Sequence, residues 1–175
     1  TNVQQAWNSS KIGGQGNAGA GIKIAIIDSG IDETHPSFQD SSLTPPAGFP
    51  KCDIPYDCQF TNNKVIVARS YVYLLNTTDP ATSRPDDYSP LDRSGHGTGV
   101  ASVAAGVQTS YAGTTISGVA PKAFLGNYKV FGSSSVNPFS SEDALIQALD
   151  DAVGDGMDVA VFSLGEVAFT GPLDG

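Results

Sequence analysis

The chain is poor in the residues that build metal and cofactor sites. Its 175 residues include two histidines, two cysteines, one methionine and one tryptophan. Two cysteines with no histidine nearby in sequence do not make a zinc site. Basic residues are scarce as well, nine against 18 acidic ones, for a net charge of −9. A chain this acidic repels phosphates, so neither nucleic acid nor an anionic membrane is an expected partner. No run of 18 apolar residues occurs, so no helix-spanning membrane segment is predicted. There is no initiator methionine and no signal peptide ahead of Thr1, and a processed or excised chain is expected.

What is present reads as a folded domain. Hydrophobic residues make up 39% and charged residues 15%, a globular balance rather than a disordered one. The length suits about one domain with a core of its own. Short apolar runs alternate with helical ones, which predicts βαβ units and a parallel sheet. Strands are predicted at Ile22–Ile27, Val65–Ala68, Phe124–Val130 and Val159–Phe162. The first is a β-branched run suited to burial on both faces. One helix is predicted from Gly97 to Ala105, ended by Gly106. Another starts near Ser140 or Ser141, with Ser140 and Asp143 resembling a capping box. Its predicted core stripe is Leu145, Ala148, Leu149, Ala152 and Val153. The polar, proline-rich stretch from Asp40 to Arg93 reads as surface insertions holding one short strand. Cys52 and Cys58 lie in it, and a local disulfide is expected, with free thiols as the alternative. A disulfide implies an oxidising compartment, and one closing so small a loop stiffens it locally.

Two residues stand out chemically. Asp28 directly follows a buried strand, and side chains there face the crevice where open α/β sheets bind ligands. The plain alternative is turn chemistry, since Asp28-Ser29-Gly30 also makes a good turn. His96 sits between Gly95 and Gly97, which leave the imidazole unhindered at the start of a helix. The other histidine, His35, precedes Pro36 in a turn-like segment and is read as structural. Gly14-Gln15-Gly16-Asn17-Ala18-Gly19 fits a dinucleotide-binding fingerprint, but it precedes a strand instead of following one, so no cofactor is assigned.

Four segments, in order, resemble the subtilases, a family of serine peptidases. Ile24 to Asp32 followed by His35-Pro36 is similar to the family's aspartate segment, and Ser94-Gly95-His96-Gly97-Thr98 to its histidine segment. Gly118 to Ala123 resembles the strand entry after that helix, and Gly156 to Gly165 the strand that walls the primary specificity pocket. The long insertion with its cysteine pair resembles the larger secreted bacterial members that carry a protease-associated domain. The resemblance implies an α/β three-layer sandwich with a mostly parallel sheet, truncated here because residues 1–175 would be the N-terminal part of the catalytic domain. It implies Asp28 and His96 as catalytic, acting with a serine on protein or peptide substrates. It implies Ser134, Ser135 and Val136, with Ser163, Leu164 and Gly165, as strands pairing with substrate, and Phe139 as a candidate for an outer pocket.

The departures from the pattern are informative. No Gly-Thr-Ser segment occurs, so the nucleophile is absent from this sequence, as is the oxyanion asparagine expected after a further strand. Ser37 stands where many members have a calcium-ligating aspartate, so no calcium ligand set is identified and no metal is assigned. The remainder of the catalytic domain is therefore an expected partner, the chain alone is expected to be inactive, and its open sheet edge is expected to need covering. A peptide-binding relative without catalysis is the rival reading. Ser163 as an alternative nucleophile is disfavoured, because its Ser-Leu-Gly context resembles a pocket wall. An extracellular setting is expected.

Overall fold

The computed structural model describes residues 2–78, 87–133 and 139–165. In chain order its elements are α1 (Val3–Trp7), β1 (Lys23–Asp28), β2 (Lys51–Cys52), β3 (Val65–Ser70), α2 (Val72–Thr78), α3 (His96–Ala105), β4 (Thr109–Tyr111), β5 (Thr114–Ile116), β6 (Phe124–Lys129), α4 (Glu142–Gly154) and β7 (Val159–Val161). Five strands form one parallel sheet in the order β2-β3-β6-β1-β7. β4 and β5 form a separate antiparallel hairpin.

The alternation of side chains along β1 builds the three layers. Ile24 and Ile26 face a core that includes Ala101 and Ala105 of α3. Ala25 and Ile27 face the opposite core, with Ala144, Ala148 and Ala152 of α4 and Val72 and Leu75 of α2. Period-two geometry then puts Asp28 on the α3 side, in step with Ile24 and Ile26. In β3 a register irregularity between Val65 and Val67 breaks the alternation. It accounts for Ile66 and Val67 joining the same core.

β6 carries polar residues where a buried strand normally carries apolar ones. Leu125 packs toward α3, and Asn127 and Lys129 follow it at the same parity. Asn127 Nδ2 donates to Pro90 O at 2.8 Å, and Lys129 Nζ donates to Leu91 O at 2.6 Å. These bonds fasten the segment leading into α3 across the sheet's C-terminal edge. Lys64 is fully buried and donates to Pro121 O and Ala123 O. Burial pushes its ammonium down to about 8.

The strand predictions fall within a residue or two of the observed bounds, and α3 ends at Gly106 as read. Three readings need correction. Ser141, not Ser140, caps α4, accepting from Ala144 N at 3.3 Å. The buried line of α4 is Ala144, Ala148 and Ala152 at i, i+4 spacing, whereas Leu149 and Val153 are exposed. The close approach of helix to sheet admits only small side chains along that line. Finally, the stretch from Asp40 to Arg93 holds β2 and α2 besides β3. Val72, Tyr73, Asn76, Thr77 and Thr78 have weak helical propensity, and packing of Val72 and Leu75 into the core supports the helix. Cys52 and Cys58 are disulfide-bonded, with Cα atoms 5.5 Å apart. Arg69 ties their loop to α4, pairing with Asp53 and, at 2.9 Å, with Asp155 just beyond the helix.

Candidate active site

β1 delivers Asp28 to the C-terminal edge of the sheet, where it is 1% exposed. α3 begins at His96, whose side chain is 55% exposed. The two meet with His96 Nδ1 2.7 Å from Asp28 Oδ1. Ser29 N also donates to that oxygen at 2.7 Å. A buried carboxylate at this distance accepts the Nδ1 proton, which leaves Nε2 with its lone pair on the open side of the ring.

Glycine makes the approach feasible. A Cβ on Gly97 would lie 2.2 Å from Gly30 O and 3.2 Å from Asp28 Cβ. Gly30 itself has φ +111°, and a Cβ there would meet Pro90 O at 2.6 Å. The Asp28–Gly30 turn, the start of α3 and the segment at Pro90 are thus in backbone contact. Any side chain larger than hydrogen would push the histidine from the aspartate.

Asp92 organises the rest, and sequence reasoning passed over it. Its Oδ1 accepts from Ser94 N and Gly95 N, each at 2.9 Å, and from Ser29 Oγ at 2.9 Å. Its Oδ2 accepts from Thr98 N at 2.9 Å and from Thr98 Oγ1 at 2.7 Å. Ser29 Oγ in turn accepts from Gly97 N at 2.9 Å, and Thr98 Oγ1 accepts from Asp32 N at 3.0 Å. The first N–H groups of an α-helix have no partners within it, and this network supplies partners for those of Gly97 and Thr98. Burial pushes Asp92 upward, but the hydrogen bonds from Thr98, Gly95 and Ser94 outweigh it and hold the carboxyl below the usual aspartate range. The signal for it in sequence was an aspartate four residues before a glycine-flanked histidine, which pattern reading takes for an ordinary turn.

Ser163, Leu164 and Gly165 run on from β7. Ser163 and His96 line the same open hollow of about 660 Å³, together with Val100, Val103, Val119 and Val161. Ser134, Ser135 and Val136 lie outside the described residues. Phe139 is exposed. His35 accepts from Ser37 N through Nδ1 and packs against Phe38. The segment Gly14–Gly19 forms a short turn ahead of β1 and opens no helix of the sheet. Among the described residues no three of His, Cys, Asp and Glu stand close enough to hold a metal ion, and no helix is long and apolar enough to cross a membrane.

A buried aspartate paired with an accessible histidine at the C-terminal edge of a parallel α/β sheet is an arrangement that can take a proton from a nucleophile through imidazole. The profile of the Subtilase family matches residues 19–174. The chain belongs to that family. Among proteins it resembles, Subtilisin-like protease SBT2.3 of Arabidopsis thaliana is 35% identical over 98% of this chain and 22% of its own length. Subtilisin-like protease SBT1.9 of the same plant is 38% identical over 85% of this chain and 21% of its own length. The chain therefore spans about a fifth of the length of these relatives. They are plant proteins, and the expectation of bacterial relatives draws no support from them. The solved structure of Sphericase shares the fold, with TM-score 0.50 and 24% identity over 95% of this chain and 44% of that one.

Proposed function

We propose that the full-length protein is a serine endopeptidase and that this chain supplies the acid–base half of its triad. The observation that carries the reading is the 2.7 Å contact between Asp28 and His96 at the sheet's C-terminal edge. A serine from another part of the same catalytic domain attacks the peptide carbonyl, and its Oγ proton passes to Nε2 of His96. Asp28 keeps the ring in the required tautomer and stabilises the imidazolium that forms. His96 then returns the proton to the leaving amine. A side-chain amide from the same missing part holds the oxyanion. Extended substrate pairs with the backbone at Ser163-Leu164-Gly165, so that pockets rather than main chain select the sequence.

The serine's place is the open hollow beside His96. Its wall of valines is core-like and exposed, with Val103 70% exposed and Val119 48%. The occupant is the remainder of the catalytic domain, which brings the nucleophile to Nε2. The protein works outside the cell, a setting supported by the Cys52–Cys58 disulfide. The long insertion and the length of the relatives leave room for a protease-associated domain.

The test pairs activity with covalent labelling. A fluorophosphonate probe should label the full-length protein and leave the 175-residue chain unlabelled. His96→Ala in the full-length protein should lower turnover of a protein substrate by about six orders of magnitude, and Asp28→Asn by about four. Unimpaired hydrolysis by the His96→Ala protein would sink the assignment.

A further inference from the structure

A second cavity, of about 550 Å³, opens at the C-terminal end of β3 between the disulfide loop, α2 and α4. It shares no lining residue with the His96 hollow, and the peptidase reading makes no use of it. Its size falls within the range of ligand pockets, roughly 300–1,000 Å³.

Asp53, Asp57 and Asp151 line it, and Arg69 is the one cation among its described lining residues. Arg69 is already engaged by Asp53 and Asp155. Three carboxylates against one guanidinium leave the wall negative. Tyr56, Tyr73 and Tyr88 also line the cavity, and each is about half exposed, so ring surface is available at its mouth. Deeper in, Ser70 is 7% exposed, and its hydroxyl is buried without a hydrogen-bond partner. The Ser89 hydroxyl on the same wall is likewise buried and unpartnered. Unsatisfied buried hydroxyls are rare in folded proteins, and here they mark places for an incoming polar group. Burial, reinforced by Asp53, pushes Asp57 above the usual aspartate range, a cost that an arriving positive charge would relieve.

The carboxylates are too dispersed to grip a bare metal ion. An organic cation with several donors and flat faces fits better. A guanidinium offers five N–H donors for carboxylate and hydroxyl oxygens, and its plane stacks on tyrosine rings. The half-exposed tyrosines at the mouth give surface for the chain that bears it. We propose that this cavity binds an arginine side chain presented by a polypeptide.

Calorimetric titration of the full-length protein carrying His96→Ala, which prevents turnover, tests this. The probes are a blocked Ala-Arg-Ala peptide, the same peptide with citrulline replacing arginine, and agmatine. The arginine peptide should bind, the citrulline peptide at least about tenfold more weakly, and agmatine more weakly than the arginine peptide. Asp57→Asn and Tyr88→Ala should each weaken the arginine peptide about tenfold at an unchanged melting temperature. Should Asp57→Asn fail to fold, the exposed Tyr88→Ala decides. Equal binding of the arginine and citrulline peptides overturns the proposal, as does indifference to the substitutions, which would place the peptide in the cleft beside His96. Agmatine binding as tightly as the peptide overturns the polypeptide source and assigns the cavity to a free amine.

Discussion

The two sides of His96 differ in how complete they are. Toward β1 and the Asp92 segment, polar groups are tied together by hydrogen bonds, although Asp28 Oδ2 and Asn127 Oδ1 are buried without a partner. Asp28, Ser29, Asp92, Gly97 and Thr98 form one hydrogen-bonded network, tethered from below by Asn127 and Lys129. Toward β7, valines that resemble a domain core stand open, and β7 pairs only with β1 among the described strands. An apolar face of this kind with an unpaired strand edge beside it is stable when something covers it. The contrast teaches that positioning the histidine and supplying its nucleophile are separable structural tasks. The first is local to this chain, and in the proposed function the second falls to the part of the protein that covers the open face.

The contrast can be broken in four ways. Val103→Asp should have the largest effect, because a covered Val103 becomes a buried, unpaired charge. The full-length protein should lose about 3–5 kcal/mol, whereas the 175-residue chain should change by no more than about 0.5 kcal/mol. Urea unfolding of both forms measures the difference, and equal effects would remove the open-face interpretation. Gly97→Ala acts on the complete side. Its methyl meets backbone at 2.2 Å, which cannot rotate away, so a loss of about 3 kcal/mol is expected in both forms. Displacement of His96 should accompany it, read as a changed imidazole resonance in NMR. Asp92→Asn removes the charge that receives the Ser94, Gly95 and Thr98 bonds and should cost about 2 kcal/mol by the same unfolding measurement.

Acidification should have the mildest effect at any single pH. Because the folded Asp92 carboxyl sits below its ordinary value of about 3.9, the folded state binds fewer protons there than the unfolded chain. Its stabilising contribution is therefore full above about pH 4 and fades as pH falls through the folded value. The gap between wild type and Asp92→Asn should stay constant from pH 7 to about pH 5, then close on further acidification. A gap that widens in acid would contradict the sign of the shift.

Much of the frame was legible because burial imposes patterns on sequence. β1 and β3 read as strands from their apolar runs, and α3 from its small residues between glycines. Asp28 and His96 were legible as a strand-end carboxylate and a glycine-flanked ring. α2 was hidden, since Leu74 and Leu75 are flanked by the weak helix formers Val72, Tyr73, Asn76, Thr77 and Thr78, and core packing supports the helix. The β4–β5 hairpin was hidden for a related reason. Its turn uses Ala112 at φ 48° beside Gly113, and alanine gives no sign of a left-handed conformation. On α4, helical spacing identified an apolar surface but not which part of it the sheet would accept.

The sequence by itself determined the alternation of strand and helix and the identities of Asp28, His96 and the glycines around them. It did so because residue type fixes chemistry and period fixes local structure. Tertiary structure alone decided that Asp92 would knit Ser29 to the start of α3, and that Asn127 and Lys129 would reach across to hold its approach. It also decided that the Cys52–Cys58 loop would share a cavity with α4, some ninety residues away along the chain. These contacts join segments whose separation carries no period, so only the folded chain brings their hydrogen-bonding groups within reach.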